Sequence, residues 1–231
     1  MKPINETSQD TSENSPDKPH TVDLTLHFTP KWAVMIGILA IGVLYFLLPE
    51  DLTIGPSWLL LAIVGVLLLP LVLSRLVHYH MSHHTARLIT LAILGIVTLA
   101  LASGVGLLIL TLAKRHASTL LQSAAILWSL NILVFALWYW EIDGGGPLKR
   151  HLSGHQAADF LFPQQADGDP GGWVAHFVDY LFLAFNTSTA LSPADTFPLT
   201  RTAKGLMMIQ ALISLSIIVF LAARAVNILG S

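Results

Sequence analysis

The stretch WVAHFVDYLFLAFNTSTALSP, Trp173–Pro193, decides how this chain reads. Its apolar part, Trp173 to Phe185, makes a helix of about 20 Å at 1.5 Å per residue, too short for a hydrocarbon core of about 30 Å. The remainder, Asn186 to Pro193, is neither strongly apolar nor charged, and a full-length apolar run, Gly205 to Leu229, follows it. Irregular backbone survives at membrane depth only where protein buries it or where it lines water. A helix entering part-way, a hydroxyl-rich return and then a complete span are the elements of a pore loop, and that arrangement is predicted here.

Composition supports a lipid setting. Of 231 residues, 54% are hydrophobic and only 11% charged, against about a quarter charged in soluble domains. Upstream lie four more apolar runs: Trp32–Leu48, Trp58–Val77, Leu88–Ala113 and Ala117–Trp140. The first two are near the minimum for a crossing, and the short link through Pro49-Glu50-Asp51 makes them a tight hairpin. Gly95, Ser103, Gly104 and Gly106 suit the third to close helix contact. The fourth ends in Trp138-Tyr139-Trp140, an interfacial signature, and carries Asn131, which must face protein rather than lipid.

The expected fold is an all-α integral membrane protein with about five transmembrane helices plus one re-entrant pore-like helix and loop. Residues 1–30 are too polar to bury a core and read as a disordered tail. Residues 31–116 read as a three-helix transmembrane region, and 117–231 as a pore-like module. Within the latter, Glu141–Gly172 is punctuated by Gly144-Gly145-Gly146-Pro147 and Asp167-Gly168-Asp169-Pro170. It reads as a water-facing loop, with Glu141 and Asp143 on a solvated turn.

Thr187-Ser188-Thr189-Ala190-Leu191-Ser192-Pro193-Ala194-Asp195, followed by Pro198-Leu199-Thr200, resembles the filter of potassium-channel pore modules. Those modules run outer helix, pore helix, filter, inner helix, with a filter Thr-x-Thr-Thr-Val-Gly-Tyr-Gly-Asp and then Pro-Leu-Thr. Thr187, Thr189, Asp195, Pro198, Leu199 and Thr200 fall in register, and Asp179-Tyr180-Leu181-Phe182 resembles the opening of a pore helix. The resemblance covers Trp138 to Leu229. Ser192 and Ala194 stand where that filter has glycine and Pro193 where it has tyrosine, so the carbonyl stack that replaces the hydration shell of K⁺ is not expected.

The resemblance implies an ion-channel-like pore without potassium-type selectivity. Thr187, Ser188, Thr189, Ala190, Leu191 and Ser192 take the filter-like positions. Gln210 and Ser214, four apart on one helix face, either line the cavity or bond neighbouring helices. The same region resembles a bacterial family of predicted membrane proteins catalogued as a domain of unknown function. The shared features are Trp138–Trp140, the Glu141–Asp143 loop, Asp179-Tyr180-Leu181 and Ala225-Val226-Asn227. That likeness implies architecture and no activity. A non-conducting membrane scaffold or accessory subunit is the rival reading.

Other classes are disfavoured. A net charge of −2 with no basic tract argues against nucleic acid, and the absence of cysteine excludes disulfides and thiolate sites. His80 and His84 have a chelating spacing within the His78–His84 cluster, but no nearby carboxylate completes a site, so no metal or cofactor is assigned. No enzyme signature is present, and an enzyme is not expected. Lys31, Arg75, Arg87, Lys149, Arg150, Arg201 and Lys204 gather on one side of the expected spans, against Lys114, Arg115 and Arg224 on the other. By the positive-inside rule the first side is cytoplasmic, whereas a potassium-type pore loop enters from outside. The predicted location is the plasma (inner) membrane, multi-pass. The predicted partners are the bilayer, further copies of the chain and an inorganic ion.

Overall fold

The computed structural model describes residues 31–53, 55–76, 82–111, 116–154, 156–166, 173–189 and 196–229. The tail 1–30 lies outside them. So do His78–His80, Lys114–Arg115, Asp167–Gly172 and Ala190–Asp195.

Eight helices are described: α1 Lys31–Phe46, α2 Ser57–Leu76, α3 His83–Thr111, α4 Ala117–Ile142, α5 Pro147–Leu152, α6 Pro163–Ala166, α7 Phe177–Thr189 and α8 Arg201–Leu229. Three stretches are long and apolar enough to cross a membrane: His84–Thr111, Ser118–Gly145 and Arg201–Arg224. The apolar stretches described in α1 and α2, Ile36–Phe46 and Trp58–Leu67, are shorter than that. The chain is not purely helical. Two short strands, β1 Phe160–Leu161 and β2 Phe197–Pro198, pair antiparallel with Phe160 opposite Pro198. The ladder gives backbone groups in a buried corner their partners, which such groups require.

Helix α4 is the centre. Ala124, Leu127, Val134, Phe135, Ala136 and Tyr139 have no exposed surface, and α1, α3, α7 and α8 all pack on it. Side-chain contacts set the directions. Trp138 Nε1 donates to Thr98 Oγ1 at 2.8 Å, while Gly104 meets Leu127, so α3 runs antiparallel to α4. Tyr180 reaches Asp143 and Ser188 reaches Asn131, so α7 is antiparallel too. Helix α7 begins with Phe177 against Trp140 and ends about halfway along α4. Helix α8 nonetheless starts back at the Asp143 end, where Thr200 bonds Asp159.

The hairpin of α1 and α2 turns through a 3-10 segment, Glu50–Leu52, which drives Leu52 into the bundle with no exposed surface. Gly104 makes room for it. A Cβ there would lie 3.1 Å from Leu127 Cδ2 and 3.3 Å from the Leu52 carbonyl oxygen, whereas Gly95 and Gly106 have open space beside them. Gly104→Val is therefore expected to destabilise by about 1–3 kcal/mol through overpacking. Gly106→Val should unfold with the parent. Thermal unfolding in detergent compares the two, and equal melting of both variants would refute this packing.

Candidate functional site

Two polar centres lie along α4. The first closes the Asp143 end. Gly144, Gly145 and Gly146 all have left-handed φ values, 61°, 81° and 105°, which glycine adopts without the Cβ penalty. This run reverses the chain and brings α5 back under α4. Arg150 Nη1 then donates to the carbonyls of Trp140 (3.0 Å) and Asp143 (2.8 Å) and lies 3.9 Å from Asp143 Oδ2. Its guanidinium covers the rings of Trp140 and Tyr180 at 4.7 and 5.2 Å.

Asp143 gathers the rest. Oδ1 accepts from the amides of Asp159 (3.0 Å) and Phe160 (3.3 Å), and Oδ2 accepts from the Tyr180 hydroxyl at 2.5 Å. Asp159 answers in kind: Oδ2 accepts from the Gly144 amide at 3.0 Å and Oδ1 from the Thr200 hydroxyl at 2.6 Å. Thr200 in turn accepts from the Ala203 amide and caps α8. Two carboxylates thus clasp the end of α4, the base of α7 and the cap of α8. The rings of Tyr139, Phe160, Phe162, Trp173 and Tyr180 seal them.

The water-facing loop expected over Glu141–Gly172 is corrected at Asp143, Arg150, Phe160 and Phe162, which are buried, whereas Leu148, Lys149, His151–Gly154 and Gln156–Ala158 are exposed as expected. Asp143 is 4% exposed and Arg150 3%. The physical reason is pairing: each charge meets an opposite charge and more than one hydrogen-bond partner, with Arg150 Nε alone among these atoms buried without one. Tyr180, Asp159 and Arg150 are members of this centre that sequence reasoning did not single out as a site. The Gly-Gly-Gly-Pro run marks the turn but carries no sign of what folds beneath it.

The second centre sits at mid-bundle. Asn131 Nδ2 donates to Ser188 Oγ and to the Gln210 carbonyl, both at 3.3 Å. Gln210 Nε2 donates to the Ala184 carbonyl (2.7 Å) and Ser188 Oγ (2.9 Å), and Gln210 Oε1 accepts from the Tyr139 hydroxyl. Ser214 Oγ donates to the Ser188 carbonyl at 2.7 Å. Asn131 and Gln210 are fully buried.

Of the filter-like positions, Thr187, Ser188 and Thr189 form the last turn of α7 rather than an extended return. Thr187 and Thr189 donate back to the carbonyls of Leu183 and Phe185, and Ser188 faces Gln210. Ala190, Leu191 and Ser192 lie outside the described residues. Gln210 and Ser214 share a face, as their spacing predicts, and turn it toward α7. Apolar side chains cover much of the outer surface of both helices, Val178, Phe182 and Phe185 on α7 with Met208, Leu212 and Leu215 on α8, while the first turn of α8 exposes Arg201 and Lys204. His84 is exposed, His80 is outside the described residues, and among the described residues no group of three His, Asp or Glu could hold a metal. No protein-family model, curated protein or solved structure matches this chain.

Proposed function

We propose that the chain is a multi-pass protein of the plasma (inner) membrane whose last third is a pore-loop module. Copies assemble around a conduction path for an inorganic ion. Five crossings, with α1 and α2 as a hairpin beside the three long helices, and a re-entrant α7 complete this architecture. The observation that carries the reading is the common starting end of α7 and α8, with α7 stopping at Asn131, halfway along α4. In lipid, such a half-length helix needs its inner end satisfied by protein, which is what Asn131, Gln210 and Ser214 do for Ser188.

Because those polar groups are used within the protomer, the path runs between copies, lined by Thr189 through Ser192. Selectivity for K⁺ over Na⁺ is absent, since Ser192, Pro193 and Ala194 replace the residues that a carbonyl filter requires. A second reading, a non-conducting scaffold or accessory subunit, is favoured by one observation: Val178, Phe182, Met208, Leu212 and Leu215 make apolar outer patches on α7 and α8.

Purified protein in sealed liposomes with K⁺ or Na⁺ gradients separates the two. The pore reading expects flux of both ions at rates within about threefold of each other, from a protein that purifies as an oligomer. A sealed bilayer at every pH tested, with a monomeric mass in detergent, establishes the scaffold instead.

A further inference from the structure

We infer that Arg87 and Lys149 form a seat for the phosphate of an anionic lipid at the Asp143 end of the bundle. The two cations come from different elements, the first turns of α3 and the short α5, and converge on Gly145. A Cβ on Gly145 would lie 2.7 Å from Lys149 Cδ, 3.4 Å from Lys149 Nζ and 3.6 Å from Arg87 Nη1. With φ of 81° and no side chain, Gly145 lets both charges approach one point.

Like charges so close call for an anion. Among the described residues no carboxylate ion-pairs with either cation; the ion pair at this end joins Arg150 to Asp143. Arg87 Nε is buried without a hydrogen-bond partner. Glu141 is the described carboxylate whose charge reaches Arg87, and it is shared with Arg150. Counting Glu141 against Arg87 and Lys149 leaves one positive charge over.

A phosphodiester matches this excess positive charge, since guanidinium and ammonium both donate charge-assisted hydrogen bonds to phosphate oxygens. The source is a lipid rather than free phosphate because of what flanks the pair. Leu88, beside Arg87, and Leu148, beside Lys149, are 68% and 49% exposed, offering apolar surface to acyl chains. Arg87 also opens the apolar run of α3, at the level where headgroups meet hydrocarbon. This inference rests on the membrane reading of the long helices and is independent of whether the protein conducts.

The test uses the full chain in detergent, with lipid retention read by native mass spectrometry. Phosphatidylglycerol should be retained about tenfold better than phosphatidylcholine, and millimolar inorganic phosphate should not displace it. Arg87→Gln with Lys149→Gln should bring retention down to the phosphatidylcholine level. Arg201→Gln with Lys204→Gln removes the same charge from exposed positions at the same end and should change retention by less than about twofold. Since Arg87 is half-buried, Lys149→Gln alone, at an exposed position, must still lose about threefold. Equal losses from both pairs mean diffuse surface charge and overturn the site. Displacement by inorganic phosphate, or equal retention of phosphatidylcholine, overturns it as well. Failure of the parent protein to enter bilayers at all would instead strike the membrane reading.

Discussion

Asp143→Ala is expected to lower stability by about 3–5 kcal/mol, the range for breaking a buried ion pair from one side. Native proteins hold about 5–15 kcal/mol in total, so little margin would remain. The substitution removes the carboxylate that ion-pairs with buried Arg150, leaving it carbonyl partners and a share of the Glu141 charge, and strands the Tyr180 hydroxyl and the amides of Asp159 and Phe160. Asp143→Asn keeps an acceptor oxygen, loses the charge and should fall between. Adding Arg150→Met to Asp143→Ala should restore part of the loss, because the stranded charge goes with it. Detergent melting followed by tryptophan fluorescence reads all of these. A loss below about 1 kcal/mol for Asp143→Ala would mean that the carboxylate is not buried as described.

Gln210→Leu is the second large effect. It removes the donor to the Ala184 carbonyl and Ser188 Oγ and the acceptor for Tyr139, all in a fully buried position. Stranded polar groups in water-soluble cores cost about 1–3 kcal/mol each, and interhelical bonds in membranes average about 0.6. About 2–4 kcal/mol is therefore expected for three partners at once. Ser214→Ala removes one bond, to the Ser188 carbonyl, and should cost about 0.5–1.5 kcal/mol. Because the chain has no cysteine, a single Thr189→Cys reports on α7. Its labelling should accelerate in the Gln210→Leu background and stay unchanged with Ser214→Ala. The same melting loss for both variants would show that Gln210 is not the hub joining α4, α7 and α8.

The helical order, and the inward turn of Asn131, are legible because both follow from one rule. An apolar run of crossing length needs lipid or protein around it, and an amide inside such a run needs a partner. Two things escaped. Helix α7 continues through Thr187, Ser188 and Thr189, where the loss of apolar character suggested a bend. Hydroxyls that donate to their own helix four residues back, as Thr187 and Thr189 do, let polar residues remain helical. The clasp escaped for a different reason. Its bonds join Asp143 to amides 16 and 17 residues away, and no local pattern encodes a partner at that separation. Phe160 and Phe162, the alternate aromatics that seal it, span too few residues to register as a strand. Of the five crossings expected, three meet the length and composition of a span, and the described apolar stretches of α1 and α2 are shorter.

The bond from Asn131 to Ser188 spans 57 residues of sequence, and the bond to Gln210 spans 79. At about 5–20 residues per second, the ribosome makes Asn131 several seconds before either partner exists. The axial helix of the bundle is thus made well before the helices that complete the hydrogen bonds at its centre. Until α8 arrives, the Asn131 amide lacks the Gln210 carbonyl and needs another acceptor in the meantime.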